Sequence, residues 1–477
     1  MKKPFYLTTT LPYVNAELHM GHALEFVRAD AIARYHRDVL GEDIFFNSGT
    51  DEHGSKIFKK AEELGMTAQE FVDMNVTKFH ESLAMFGLID GIHFVRTSDA
   101  HHVAAAQEFW KRVAVNGYIY KKNYQTKYCI GCESEKTDSE LVDGKCPDHG
   151  VEPELIDEEN YFFKYSAFTD KLLEFYKNNP TFIIPDFRFN EIKAFVQRGL
   201  EDFSISRLKT KMPWGIPVPG DDDHVMYVWF DALTNYISTL GWPEDSSTFE
   251  KYWVGGTPTQ YCGKDNTRFQ GAMWQAMLIA AGLPNSHQVV VNGFVMGDGG
   301  VKMSKTLGNV VDPKDIAREF GTDALRFFLL KEISSFEDSP FSRDRFVESY
   351  NAHLANGIGN LTSRIMKMAT TNLDSTPTLS DSVSDEWHAA MREFDIKRAA
   401  DIAFSEAKKM DERITETEPF KLVKTDKAAG DAIIAELVGR LYAVALMLAP
   451  LLPETSRKIV DCIRSNAMPV EPLFLRK

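Results

Sequence analysis

FYLTTTLPYVNAELHMGHALEFVRADAIARYHRDV, residues 5–39, opens on β-branched and aromatic residues and breaks at Pro12 and Asn15. It then repeats apolar residues at helical spacing: Leu24, Val27, Ala31, Ile32 and Tyr35. The order is strand, loop, helix. DIFFNSGT (43–50) follows as a second strand and SKIFKKAEEL (55–64) as a second helix, the alternation of a parallel sheet with crossover helices. In such a sheet the loop between first strand and first helix lies at the carboxyl edge, where phosphates meet the free N–H groups of a helix start. That loop is LPYVNAELHMGH (11–22), in which Gly21 permits close backbone approach and His19 and His22 offer donors to phosphate oxygens.

Working outward, helical spacing continues over 68–87 and 99–116, and residues 118–160 are turn-rich and carry a cysteine cluster. Strand patterning returns at VMYVWF (225–230), TQYCG (259–263) and QVVVNGFV (288–295), with a helix expected over 267–282. The last of these strands runs into DGGVKMSKTLGN (298–309), a Gly-rich turn holding Lys302 and Lys305. Glycines let such a loop close on a substrate, and ammonium groups neutralise a polyphosphate. From about 346 strands vanish, and three- and four-residue apolar spacing predicts a helical bundle. The expected fold is therefore α/β, with a Rossmann-type parallel sheet split by a connective insertion too long for an ordinary loop and followed by an all-α bundle. The boundaries read as 1–116 and 214–325 for the two halves of the sheet domain and 117–213 for the insertion. A linking segment fills 326–345, and the bundle spans 346–477.

Composition narrows the function. The formal charge of −15 argues against a protein coated in basic surface, although the acidic excess lies in residues 1–344 and leaves 345–477 nearly neutral. The basic N-terminus never develops an apolar stretch, so no signal peptide is expected. The longest apolar run, Leu441 to Leu452, is interrupted by Pro450 and is too short to span a bilayer. No membrane association and a cytoplasmic location are expected. Five cysteines make no disulfide framework. Instead Cys129-Ile-Gly-Cys132, 13 intervening residues and Cys146-Pro-Asp-His149 offer two pairs of ligands. Three thiolates and an imidazole fit tetrahedral zinc, and their softness disfavours magnesium or calcium.

With HMGH after an early strand and KMSKT after a late one, the chain resembles the class I aminoacyl-tRNA synthetase family, in its methionyl branch. The likeness extends to TDEHG (50–54), ENYFFKYS (159–166), FSISR (203–207), WGIPVPGDDDHVMYVWFDALTNY (214–236) and GKD (263–265). It implies ATP-dependent activation of methionine to methionyl-adenylate and transfer to the 3′ end of methionine tRNA, initiator and elongator. His19, His22, Lys302 and Lys305 are the implied catalytic residues. ATP is expected on His19, Gly21, His22, Gly263, Asp265 and Lys305, with Mg²⁺ bridging its phosphates and Arg207 assisting around them. The resemblance places the Cys129, Cys132, Cys146 and His149 cluster in the connective insertion as one structural zinc per chain.

The same likeness assigns methionine to Leu11, Tyr13, Asp51, Trp229, Ala232, Tyr236, Asn266 and Gln270. Aromatic rings can enclose an unbranched thioether, and a carboxylate at Asp51 can hold the substrate ammonium. Asn266 and Gln270 stand where the family often has isoleucine and histidine, and Leu233 replaces a common proline. In GNLTSR, Asn360 and Arg364 match the family's anticodon readers and sit four apart on one helix face. Phe420 takes the place of a usual tryptophan and can still stack on a base. A monomer is expected. Three rivals share parts of this pattern: a class I synthetase for another apolar amino acid, a small HxGH nucleotidyltransferase, and a non-catalytic tRNA-binding paralogue. The first is disfavoured by an insertion too short for an editing domain, the second by the helical bundle and the KMSK loop, the third by the presence of both histidines and both lysines.

Overall fold

The computed structural model describes residues 2–132, 134–297, 300 and 311–477. They form two compact units, one of residues 1–18, 42–81 and 90–291, the other of 19–41, 82–89 and 292–477.

The first unit is built on a six-stranded sheet of β1 (Phe5–Thr9), β2 (Ile44–Thr50), β3 (His93–Arg96), β4 (Ile183–Ile184), β5 (Thr257–Gly263) and β6 (Gln288–Asn292), in the order β3-β2-β1-β5-β6-β4. The pairs β2–β3, β1–β2, β1–β5 and β4–β6 are parallel. All five residues of β1 are buried, as expected of a central strand covered on both faces. Tyr6 from β1 donates its hydroxyl to the Tyr236 carbonyl at 2.7 Å, and Phe45, Trp253, Trp274 and Phe109 surround the same core.

Three expectations change here. VMYVWF (225–230) is not a strand of the parallel sheet. Asp221–Met226 pairs antiparallel with Ser206–Leu208 and Pro217–Val218, and the chain turns helical at Val228–Ala232. A short apolar run looks the same whether it fills a buried strand or a buried helix. The turn-rich reading of 118–160 gives way to a long antiparallel ribbon, Ile119–Cys129 against Glu154–Phe163. Its polar, outward-facing positions hide the strand period. Finally, β4 lies inside the expected insertion yet forms an edge of the main sheet.

The second unit contains α1 (Met20–Arg34), which ends in a widened turn over Tyr35–Val39. The apolar spacing predicts one buried stripe, but Met20, Ala23, Leu24 and every residue from Phe26 to Ala33 are buried. Arg28 and Asp30 are thus inside, not on a solvated face. Arg28 donates to the carbonyls of Ser334 at 2.6 Å, Ser335 at 2.9 Å and Ile333 at 3.1 Å. Asp30 pairs with Arg326 at 2.7 Å, and neither side chain is exposed. Beyond Pro340 the described residues are helical or irregular, with long helices at Asn360–Asn372, Ile396–Thr417, Lys427–Leu448 and Pro453–Arg464. The helix before Asn360 is broken at Gly357, whose backbone leaves the helical region.

Candidate active site and metal centre

Three adjacent parallel strands end together, and the segments leaving them carry the candidate residues. Beyond β1, Tyr13 forms a parallel bridge with Asp51, which follows β2. Asp51 N–H donates to the Pro12 carbonyl at 3.0 Å and Val14 N–H to the Asp51 carbonyl at 3.2 Å. Gly263 ends β5 next to β1, and the single turn Lys264–Asn266 then holds Asp265 at the surface. This is the carboxyl edge, where the ligands of open parallel sheets bind.

Aromatic contacts link further candidate residues. The Tyr13 ring meets Trp229 edge-on at 6.2 Å, and Trp229 stacks on Phe269 at 4.0 Å with the planes 4° apart. Trp229 Nε1 is buried with no acceptor among the described residues. Leu11, Asp51, Ala232, Tyr236 and Gln270 are buried. Gln270 donates to Thr10 Oγ1 at 3.0 Å and accepts from Gln260 Nε2 at 3.4 Å. Asn266 donates to Asp265 at 3.4 Å. Phe269 is a residue that sequence reading passes over; its signal is an aromatic lying between Asn266 and Gln270. Arg207 differs from expectation. It is buried between the rings of Tyr128 at 4.6 Å and Tyr227 at 5.3 Å, and it donates to Ser204 Oγ and the Ser206 carbonyl. Its guanidinium fastens the ribbon to the neighbouring strand.

In the second unit His19 caps α1. Its Nδ1 accepts from Gly21 N–H at 3.1 Å and His22 N–H at 3.4 Å, while His22 Nδ1 accepts from His19 N–H at 3.3 Å. Each Nδ1 therefore carries no proton, so in each neutral ring Nε2 is the donor. The rings stack at 3.7 Å, 15° apart. Burial, then the neighbouring His19, holds His22 well below the usual histidine range, and it stays neutral. A Cβ at Gly21 would press on the His19 ring at 3.0 Å, so the ring would have to shift slightly for any larger residue. Lys302 and Lys305 lie outside the described residues.

Cys129, Cys132, Cys146 and His149 come together, their ligand atoms all within 4.8 Å of one another. Cys132 Sγ is 3.5 Å from Cys146 Sγ and 3.3 Å from His149 Nδ1. Cys129 ends the long ribbon strand, and the other half is a tight turn in which Gly150 N–H bonds the Cys146 carbonyl at 2.7 Å. Gly131 is pressed against the imidazole, for a Cβ there would lie 2.5 Å from the His149 ring. Burial, then the Cys146 sulfur, pushes the Cys132 thiol up to about 12. A dication would relieve that crowding, so the donor set fits a metal ion.

Asn360 begins its helix exposed, and Arg364, one turn on, pairs with Asp411 of Ile396–Thr417. Phe420 stands in the following short helix, 45% exposed.

The family model for class I (M) tRNA synthetases matches residues 5–152 and 140–366. The chain is 39% identical to the methionine–tRNA ligase of Caldanaerobacter subterraneus subsp. tengcongensis over 97% of its length and 74% of the relative's. Against that of Streptomyces coelicolor the identity is 38%, covering 97% and 90%. Among solved structures, Mycobacterium tuberculosis methionyl-tRNA synthetase in complex with methionyl-adenylate superposes with a TM-score of 0.89 at 34% identity, covering 99% of this chain and 98% of that one.

Proposed function

The chain belongs to the class I tRNA synthetases of the methionine type, and from that premise we infer how its own residues divide the reaction. It activates methionine with ATP and transfers the methionyl group to tRNA. The observation that carries the residue assignment is the convergence of Tyr13, Asp51 and Trp229 beyond the carboxyl ends of adjacent parallel strands.

Asp51 takes the substrate ammonium. Leu11, Tyr13, Trp229, Ala232 and Tyr236 enclose the thioether, with Asn266 and Gln270 at its polar side. The methionine carboxylate attacks the α-phosphorus of ATP and pyrophosphate leaves. The 2′-hydroxyl of the terminal adenosine then attacks the acyl carbon and AMP leaves. Little covalent work falls to the protein, so positioning and charge stabilisation set the rate. His19 and His22 present Nε2–H donors to the phosphates, and Gly21 keeps the approach open. Gly263 and Asp265 hold the ribose, and Lys302 and Lys305 stabilise the developing charge. Mg²⁺ bound with ATP would supply charge neutralisation at the phosphates.

Cys129, Cys132, Cys146 and His149 would hold one structural zinc; with four protein ligands, no position is left open for chemistry. Asn360, Arg364 and Phe420 read the anticodon of initiator and elongator methionine tRNA. Among the described residues no helix is long and apolar enough to cross a membrane; we place the enzyme in the cytoplasm as a monomer. The division of the chain at 116, 213, 325 and 345 belongs to the same proposal, with Ile183–Ile184 of the insertion lent to the main sheet. The test is pyrophosphate exchange across all twenty amino acids. Methionine alone should support it, and comparable exchange with another amino acid, or none with any, would overturn the reading.

A further inference from the structure

One buried polar cluster has no part in the reaction so far. Asp231 lies in Val228–Ala232, and its carboxylate faces two histidines: Oδ2 is 3.1 Å from His53 Nδ1 and Oδ1 is 3.6 Å from His102 Nε2. His102 Nδ1 continues to Ser238 Oγ at 2.9 Å. The side chains of Asp231 and His102 have no exposure, and that of His53 has 6%. Burial by itself would push the Asp231 carboxyl up; His53 and then His102 reverse this and hold it below the usual carboxylate range.

Replacing such a buried charged set by apolar side chains of similar volume is often neutral or stabilising, so stability alone is a weak account of it. Its placement gives a better one. His53 lies two residues beyond Asp51, Asp231 two beyond Trp229 and next to Ala232, and Ser238 two beyond Tyr236. The contacts His53–Asp231, Asp231–His102 and His102–Ser238 therefore tie together the three segments that supply the proposed ammonium-binding carboxylate and the proposed aromatic and small-residue walls. His102 itself stands on Ala100–Val115, which supplies none of the pocket residues.

We propose that Asp231 is a positioning residue for methionine recognition: hydrogen-bonded to His53 and facing His102 at 3.6 Å without a hydrogen bond, it registers Asp51 against Trp229, Ala232 and Tyr236. Ammonium and thioether are then met at one fixed separation. The inference rests on the pocket assignment above.

The test is the split of kinetic constants in pyrophosphate exchange. Asp231→Asn keeps the side-chain size and removes the charge. It should raise the KM for methionine roughly ten- to a hundredfold, the scale of a lost supporting contact, and leave the KM for ATP unchanged. Ser238→Ala, at the far end of the chain and mild enough to fold, should raise the methionine KM in the same sense by a smaller factor. If Asp231→Asn does not fold, Ser238→Ala decides alone. A methionine KM unchanged in the variants, or a methionine and an ATP KM raised equally, overturns the proposal. Trp229→Ala separates the two levels of inference. If it raises the methionine KM while Asp231→Asn does not, the positioning role fails and the pocket stands; if neither moves it, the pocket assignment itself has failed.

Discussion

His22 shows how a backbone contact sets side-chain chemistry. Because its Nδ1 accepts from His19 N–H, the proton sits on Nε2, and burial keeps the ring neutral. The folded state thus binds this proton less readily than the unfolded chain, whose histidines titrate near ~6.5. Stability is lost as pH falls below that value, by at most about 1.4 kcal/mol per pH unit from one site. Urea unfolding at pH 7 and pH 5.5 should therefore show His22→Gln losing less stability than wild type over that interval; parallel losses would remove the histidine from the account. Gly131 is the second residue whose identity is dictated by a neighbour. Gly131→Ala must displace the His149 ring, so metal content by elemental analysis should fall below one zinc per chain, with Cys146→Ser as the reference loss. Full zinc in Gly131→Ala would contradict the close packing of Gly131 on the His149 ring. For Lys305, a sequence assignment, Lys305→Ala should lower methionine-dependent exchange by about 10²–10³-fold, as loss of a charge-stabilising donor does, with the circular dichroism spectrum retained. An unchanged exchange rate would remove it from the mechanism.

At the scale of elements, α1 is the instructive one. It carries the histidines proposed to bind phosphate at its start and two buried charges in its middle. Arg28 caps the carbonyl end of a helix near residue 333, and Asp30 receives Arg326, Arg34 and the Ile89 N–H. Removing one partner of a buried ion pair leaves the other uncompensated, at about 3–5 kcal/mol. Asp30→Ala should therefore lower the urea-unfolding free energy by that order, and a loss under about 1 kcal/mol would show the pair to be energetically idle. The Arg364–Asp411 pair is different, since both side chains are partly exposed. A surface pair holds Arg364 by about 1 kcal/mol or less, so the proposed anticodon contact would cost little in breaking it.

At the scale of the molecule, the proposed assignment has activation and anticodon reading draw on different parts of the chain. Arg364→Ala is expected to raise the tRNA concentration needed for charging while ATP–methionine exchange stays unchanged; equal damage to both would mean a general folding defect. The signatures of the reaction are local in sequence. HMGH, KMSKT and the two metal-ligand pairs depend on spacing within a turn or two, and so does the strand–loop–helix order of residues 5–39. Composition and period were enough to foresee a parallel sheet and a helical bundle, because burying one face imposes its own repeat on the chain. VMYVWF misleads because a run buried on all sides has no period to reveal. Arg28 and Asp30 mislead because charge in a helix ordinarily means solvent, and here long-range partners replace the water. His53 and Asp231, 178 residues apart, carry no joint signal along the chain. Sequence thus determined the family, through motifs written in short spacings, and through the family the reaction. Only the tertiary structure decided which polar groups are buried against one another, since that pairing depends on how distant segments close on a shared core.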